Sequence, residues 1–189
     1  MRLFFGVPVD EAVRERVAEF QDRLKRVAEK VNWVQPANFH LTLRFLGETP
    51  ADRVPQVADA ADGVWSSVAP GEGVLRGVGA FPNPRSPRVA WVGLTDGAEV
   101  LRGLAKALDA ALQASLGLAP EGRELVPHLT IGRVQQPRRD PALEAAIAEL
   151  ASAEAGSFTI SRLVLYQSTL RPGGPIYTPV RTYDAQPAA

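Results

Sequence analysis

The chain of 189 residues contains no cysteine, which excludes disulfide bonds and catalytic thiols. Because a reducing compartment is the usual home of cysteine-free chains, we expect a cytoplasmic protein. The sequence also lacks an apolar run near the roughly eighteen residues that a membrane-spanning helix needs. The apolar stretch after Met1 is too short for a signal peptide and leads directly into a helical pattern.

An excess of either charge is missing as well. The chain has 21 basic and 21 acidic residues, so its formal net charge is zero. Proteins that coat long nucleic acids depend on a clustered basic surface, and this balance argues against such a role. A site for one or two phosphate groups remains compatible with it.

Apolar runs and alternation predict strands, whereas apolar residues at three- and four-residue steps predict helices. We expect strands at 2–9, 38–47, 73–82, 88–95, 128–134, 157–170 and 176–184. Helices are expected after Asp10 (through Val31), after Pro50 (to about Val68), after Asp96 and after Asp140. The order strand, helix, strand, helix, strand therefore occurs twice. This repetition predicts an α+β fold of two lobes, with approximate repeats 2–87 and 88–184.

The two histidines of the chain open the same type of tetrapeptide, HLTL at 40–43 and HLTI at 128–131. Side chains alternate along a strand, so His40 shares a face with Thr42, and His128 shares a face with Thr130. In a duplicated fold the two faces can line one cleft. Two imidazoles can then deliver one proton and remove another, while the hydroxyls hold phosphoryl oxygens. This combination predicts acid–base catalysis that needs no metal.

Neighbouring residues extend the candidate site. Strict alternation puts Arg44 on the face of His40, and Phe45 on the core face with the leucines of the strand. It puts Arg133 opposite His128, so Arg133 reaches the site only if the strand ends or bulges near Gly132. Arg44 and Phe45 are candidate substrate-binding residues. Three aromatic residues could stack on a base, although core packing is the simpler expectation for each: Trp33, Phe45 and Tyr166.

With its paired H-x-T-x motifs, the sequence resembles the 2H phosphoesterases. Within them it is most similar to the bacterial and archaeal RNA 2′,3′-cyclic phosphodiesterases, historically called 2′-5′ RNA ligases. The resemblance covers nearly the whole chain, in the blocks RLFFGVPV, WVQPANFHLTLRFLGE, GVGAFPNPRSPRVAWVGL, PHLTIGRV and LVLYQSTLRPGGPIYTPV. It implies a single domain, 1–189, of two interleaved lobes, with antiparallel sheets flanked by helices around a central cleft.

The resemblance also implies an activity, the hydrolysis of RNA 2′,3′-cyclic phosphate ends to 2′-phosphomonoesters, with 2′-5′ ligation as a secondary reaction. By motif position, His40 corresponds to the proton donor and His128 to the proton acceptor. Thr42 and Thr130 correspond to phosphate-binding residues, and Arg133 to a basic position after the second motif. Glycine stands at 132, where relatives often have alanine.

We expect no cofactor and no metal, because the chain has no cysteine and no third histidine to complete a familiar transition-metal site. The expected partner is an RNA or oligonucleotide end that carries the cyclic phosphate. We expect a monomer, with neither a membrane nor a protein partner.

The sequence leaves three alternative functions open. A metal-dependent hydrolase could use both histidines with a carboxylate such as Glu48 or Glu124, and EDTA would inactivate it. A non-catalytic module could bind RNA or a nucleotide without turnover. A related phosphodiesterase could act on another cyclic phosphate or on a 2′-5′ oligonucleotide.

Overall fold

A computed structural model describes residues 1–66, 68–136, 138–172 and 174–185, so the last four residues of the expected domain 1–189 lie outside it. Within these ranges there are four α-helices, two short 3-10 helices and nine strands in one sheet. Every strand pair in the sheet is antiparallel. The predicted α+β class is therefore confirmed.

The elements alternate along the chain. The helices are α1 (Glu11–Lys25), α2 (Val54–Trp65), α3 (Ala98–Leu116) and α4 (Pro141–Glu149). The strands are β1 (Arg2–Pro8), β2 (Val31–Trp33), β3 (His40–Glu48), β4 (Gly71–Phe81), β5 (Val89–Leu94), β6 (His128–Val134), β7 (Glu154–Ile160), β8 (Arg162–Arg171) and β9 (Gly174–Asp184).

The sheet consists of two four-stranded halves, β7-β4-β5-β6 and β3-β1-β8-β9, with β2 paired to β6 off this path. The halves meet through a single residue pair, Leu41 with Leu129. β4 lies beside β5, although it comes from the other predicted repeat, and β8 lies beside β1 in the same way. Each half of the sheet thus contains strands from both predicted repeats.

One face of the sheet is covered by the helices, and the core lies between them. Leu41 and Leu129 are completely buried in this core, together with Leu108 and Leu112 of α3. Full burial of a leucine side chain contributes about 1.5–3 kcal/mol, so these residues anchor both motif strands firmly. The alternate residues of the two strands therefore project from the opposite face.

Some predicted boundaries of strands and helices are wrong. The first helix ends at Lys25, and Val31 belongs to the short strand β2, which the sequence pattern did not predict. The stretch 157–170, predicted as one strand, is two strands that separate at Ser161. No glycine or proline marks that break. It occurs because β7 pairs with β4 in one half of the sheet and β8 pairs with β1 in the other.

The second helix ends at Trp65, before the expected end near Val68, and Ser67 is outside the described residues. None of the helices described is both long enough and apolar enough to cross a membrane.

Candidate active site

The two histidine motifs lie next to each other on one face of the sheet, which we call the motif face. Leu41 and Leu129 pair with each other and point into the core, so the flanking residues of both motifs point away from it. The antiparallel register sets His40 across from Thr130, and it sets Thr42 across from His128. Each imidazole therefore has a hydroxyl beside it in its own strand and another in the neighbouring strand.

Hydrogen bonds fix both imidazole rings in the same way. Nδ1 of His40 is 2.7 Å from the carbonyl oxygen of Asn38, and Nδ1 of His128 is 2.7 Å from that of Val126. A carbonyl oxygen only accepts, so Nδ1 carries the proton in each neutral ring and Nε2 keeps its lone pair. Nε2 of His40 lies 3.0 Å from Oγ1 of Thr42, whose hydroxyl donates to it.

The surroundings lower the pKa of both histidines. Burial is the main cause for His40, and the positive charges of Arg133 and His128 add to it, which brings the pKa to about 4. Burial also lowers the pKa of His128, again with a contribution from Arg133. The hydrogen bonds to the main-chain carbonyls act in the opposite direction. Both rings are therefore neutral near pH 7 in the free protein.

A β-bulge at the last residue of each motif changes which of the following residues face the site. In β3, Thr42 pairs with Gly6 but Arg44 pairs with the adjacent Phe5, so Leu43 is an extra residue. The same displacement occurs in β6. There Thr130 pairs with Trp91 and Gly132 with Ala90, so Ile131 is the extra residue. Beyond each bulge the alternation is inverted.

The structure does not place Arg44 on the motif face, so the expectation from strict alternation is wrong. Its bulge turns the side chain towards α3, where Nε lies 2.8 Å from Oδ1 of Asp109. Nη1 lies 2.9 Å from Oε1 of Glu121, and Nη2 donates to the carbonyl oxygen of Ala119. Arg44 thereby connects β3 to α3 and to the loop that precedes β6.

The bulges bring Arg133 and Phe45 to the motif face instead. Positive charge on Arg133 contributes to the lowered pKa values of both histidines and acts in the same direction on the pKa of Tyr177, as expected for a guanidinium on the side of the sheet that carries these rings. Phe45 was expected in the core, but it is 42% exposed, and the guanidinium carbon of Arg2 lies 5.0 Å from its ring centre. These two residues hold equivalent positions, five after each histidine, and at this position the first motif has an aromatic ring where the second has a cation.

Aromatic rings surround both histidines. The ring centres of Phe4 and Tyr177 lie 4.8 Å and 5.2 Å from that of His40, and Tyr166 lies 6.0 Å away. Phe81 and Trp91 lie 5.0 Å and 6.3 Å from His128. The sequence prediction included only Tyr166 of these five. The others lie on strands outside the two motifs, and sequence alternation reveals a face but not a neighbouring strand.

Two glycines allow close packing at the site. A Cβ on Gly6 would be 3.0 Å from Cδ2 of His40, so glycine makes room for this imidazole. A Cβ on Gly132 would be 2.8 Å from Cε3 of Trp33 and from Cγ1 of Val31. Trp33 therefore packs on β6 from β2, and an alanine at 132 would need this ring to shift.

Within the described residues, no group of three or more histidine and carboxylate side chains is placed to hold a metal ion. Glu48 lies at the far end of β3, with its carboxylate 3.6 Å from the amino group of Met1. Glu124 is exposed in the loop before β6. Neither carboxylate considered in the sequence analysis joins the two histidines.

An interleaved antiparallel sheet with a histidine–threonine pair on each central strand defines a class of phosphoesterases. The sequence model described as LigT like Phosphoesterase matches residues 7–91 and 92–177, and the chain belongs to this family of the 2H phosphoesterase superfamily.

Among individual proteins, the chain is 38% identical to the RNA 2′,3′-cyclic phosphodiesterase of Methanothermobacter thermautotrophicus over 183 residues, which cover 97% of this chain and 98% of that one. Its fold is similar to TT0787 of Thermus thermophilus, with a TM-score of 0.83 and 30% identity, and to E. coli LigT complexed with 3′-AMP, with a TM-score of 0.75 and 25% identity. Each of these two structural matches covers 97% of both chains.

Proposed function

We propose that this protein is a hydrolase that opens 2′,3′-cyclic phosphates at RNA ends and releases 2′-phosphomonoesters. The observation that carries the proposal is the pairing of Leu41 with Leu129, because it sets two histidine–threonine faces beside each other. The names of the relatives support the substrate, since one is an RNA 2′,3′-cyclic phosphodiesterase and the E. coli LigT structure holds 3′-AMP.

In the proposed reaction, Nε2 of His128 removes a proton from water, and the water oxygen attacks phosphorus. The bond between phosphorus and the 3′ oxygen breaks, and Nε2 of His40 donates a proton to the departing oxygen. The phosphate stays on the 2′ oxygen. If a 5′-hydroxyl replaces the water, the same steps join two RNA ends through a 2′-5′ linkage. Water is in large excess, so we propose ligation only as a secondary activity.

The proton donor must be charged before the reaction, although the free His40 ring is neutral near pH 7. The bound phosphodiester supplies the missing interaction, because its negative charge favours an imidazolium and offsets the charge of Arg133. The carbonyl of Asn38 accepts from Nδ1 and also favours the protonated ring. We therefore propose that substrate binding itself charges His40.

The remaining side chains of the motif face are proposed as substrate ligands. Thr42 and Thr130 donate hydroxyl hydrogen bonds to the non-bridging oxygens, one from each motif. Arg133 donates from its guanidinium to the same phosphate and stabilises the charge that develops in the transition state. Phe45 is an exposed ring on the same face and is proposed to contact a base. Arg44 is not among the proposed ligands, because its guanidinium is held by Asp109 and Glu121.

The first test is the turnover of uridine 2′,3′-cyclic phosphate by the separate variants His40→Ala and His128→Ala. Each variant is expected to keep its circular dichroism spectrum and to lose about 10²–10⁴-fold in kcat. Near-normal turnover in either variant would rule out the proposed roles. Because the two imidazoles carry out the proton transfers, we expect the wild-type protein to keep its activity in excess EDTA.

Other outcomes of the same assay would favour a different function. Loss of activity in EDTA, restored by a divalent cation, would favour the metal-dependent hydrolase. Binding of the cyclic phosphate without product would favour a non-catalytic module. Faster turnover of a 2′-5′ oligoadenylate, or of another cyclic phosphate, would show that the protein acts on a substrate of another branch of the superfamily.

A further inference from the structure

A cavity of about 230 Å³ lies at the end of β6, where Val134 lines it, and we call it the rim pocket. It is bounded by the end of α1, the start of α4 and the last residue of β6. Its apolar lining includes Val31, Val134 and Leu143. The histidines do not line it, so the rim pocket is separate from the candidate active site.

Cations dominate the polar lining of the rim pocket. Arg26, Lys30 and Arg138 are exposed around it, and within the described part of the chain none of them has an acidic group at ion-pair distance. Two carboxylates also line the pocket. The side chain of Asp140 accepts from two main-chain N–H groups at the start of α4, which leaves Glu29 as the one acid without such a bond.

The residues around the rim pocket add further positive charge. Arg85 and Arg139 share one carboxylate, that of Glu144, at 3.5 Å and 3.3 Å. The carbonyl of Arg88 accepts from the N–H of Val134, which sets this exposed arginine beside the pocket. On a chain with zero net charge, this cluster is a local excess of positive charge that attracts anions.

The strand β6 connects the rim pocket to the candidate active site. His128 begins this strand and Val134 ends it, and a rise of about 3.3 Å per residue separates them by about 20 Å. Arg133 lies near the pocket end, followed by the side-chain amides of Gln135 and Asn32, which hydrogen-bond at 2.8 Å. A single nucleotide cannot reach from the histidines to the pocket. An oligonucleotide can span this distance, and it carries one phosphate per nucleotide along its backbone.

We propose that the rim pocket binds backbone phosphates of a single-stranded RNA whose 2′,3′-cyclic end lies at the two histidines. The inference rests on the proposed function and adds to it that an RNA of several nucleotides binds through backbone phosphates beyond its cyclic end, a contact that a cyclic mononucleotide lacks. Arginine and lysine bind phosphates mainly through charge, so this contact is independent of sequence and sensitive to salt.

The test compares the double variant Arg26→Gln/Arg138→Gln with wild type. The binding probe is a fluorescein-labelled oligouridylate ending in a 3′-phosphate, which is not a substrate, and its affinity is measured by anisotropy over a range of salt concentrations. Each phosphate contact in single strands contributes about 0.7 to the slope of log K against log salt. The double variant should therefore lower this slope by about 1.4. Its kcat/KM for uridine 2′,3′-cyclic phosphate should equal that of wild type.

A control variant removes the same charge elsewhere: Arg53→Gln/Lys106→Gln, at two exposed positions near the start of α2 and on α3. It should leave both the slope and the turnover unchanged. The proposal is overturned if the rim-pocket variant keeps the wild-type slope, or if the control variant lowers the slope as much as the rim-pocket variant does. If wild type does not turn over the cyclic nucleotide, the proposed function fails, while the binding measurement still decides whether the pocket holds RNA.

Discussion

At the scale of single residues, His40 and His128 have the same hydrogen-bond arrangement but different surroundings. Each donates from Nδ1 to the carbonyl two residues before it, which directs Nε2 towards a ligand. The motif spacing alone predicted that these rings work as a pair. It could not predict their pKa values, because these depend on burial beneath aromatic rings such as Phe4 and Tyr177, which come from other strands.

The pKa of His40 leads to a testable pH dependence. In the free protein the ring should be neutral above about pH 4 and become protonated only as the pH falls through that value. Bound phosphate should raise this pKa, because a nearby anion favours the imidazolium. NMR titration of the His40 ring with and without inorganic phosphate measures both values. A pKa near 6.5 in the free protein, or a downward shift with phosphate, would contradict this account.

The same pKa has a consequence for stability. Unfolded histidine titrates near 6.5, so between about pH 6.5 and pH 4 the unfolded chain binds more protons at this site. His40 therefore contributes stability above this window, and the contribution is lost as the pH falls through it. Urea unfolding should show a smaller loss between pH 7 and pH 4 for His40→Gln than for wild type. Equal losses in both proteins would argue against the lowered pKa.

Arg44 is predicted to act on stability and not on substrate binding. Replacing it with leucine leaves Asp109 in a partly buried site without its cation, and breaking such a pair costs on the order of 3 kcal/mol. Urea unfolding should show this loss. The double variant Arg44→Leu/Asp109→Leu should recover part of it, because no uncompensated charge then remains. The KM for the cyclic nucleotide should stay within about twofold of wild type in variants that fold. A large rise in KM without a loss of stability would show that Arg44 contacts the substrate.

At the scale of elements, the sequence predicted the two motif strands but not how they continue. Alternation correctly put His40 with Thr42, because these residues precede the bulge. It then failed at Arg44 and Phe45, because the extra residue Leu43 inverts the faces and LTLRF contains no glycine or proline to announce a bulge. In β6 the sequence predicts that Arg133 reaches the site only if the strand ends or bulges near Gly132, and the structure has this bulge. Bulges depend on the register with the neighbouring strand, which a single strand does not encode.

The packing of the short strand β2 on β6 should depend on the absence of a side chain at Gly132. In Gly132→Ala the new methyl group would lie 2.8 Å from atoms of Trp33 and Val31, and overpacking of this kind costs about 1–3 kcal/mol. Urea unfolding measures the loss. A smaller side chain in the double variant Gly132→Ala/Trp33→Leu should relieve part of the clash, so the two changes should not be additive. Additive losses would mean that Trp33 is not the obstacle.

At the scale of the whole molecule, the repeated order of strands and helices predicted the α+β class but not the strand exchange. Sequence order gives no sign that β4 leaves its own repeat to pair with β5, or that β8 pairs with β1. Those pairings depend on contacts between residues far apart in the chain. They also mean that the half β3-β1-β8-β9 takes its strands from both ends of the chain, whereas all four strands of β7-β4-β5-β6 lie between them, within 71–160.

The hydrophobic core that both halves share should make unfolding cooperative. Loss of either half exposes the core face of the other to water, so we expect one transition in urea. Tryptophan fluorescence reports on Trp65 of α2 and Trp91 of β5, which lie in different parts of the chain. Its unfolding curve should coincide with that from circular dichroism. Two separated midpoints would show that the halves unfold independently.

The central claim is that His40 protonates the 3′ oxygen and His128 activates water. A substrate with sulfur in place of the 3′ oxygen tests it most directly, because a thiolate leaves readily without a proton donor. His40→Ala should lose most of its turnover on the oxygen substrate and much less on the sulfur substrate. His128→Ala should lose equally on both, since water must still be activated. Equal losses for His40→Ala on the two substrates, or rescue of His128→Ala by sulfur, would contradict the assigned roles.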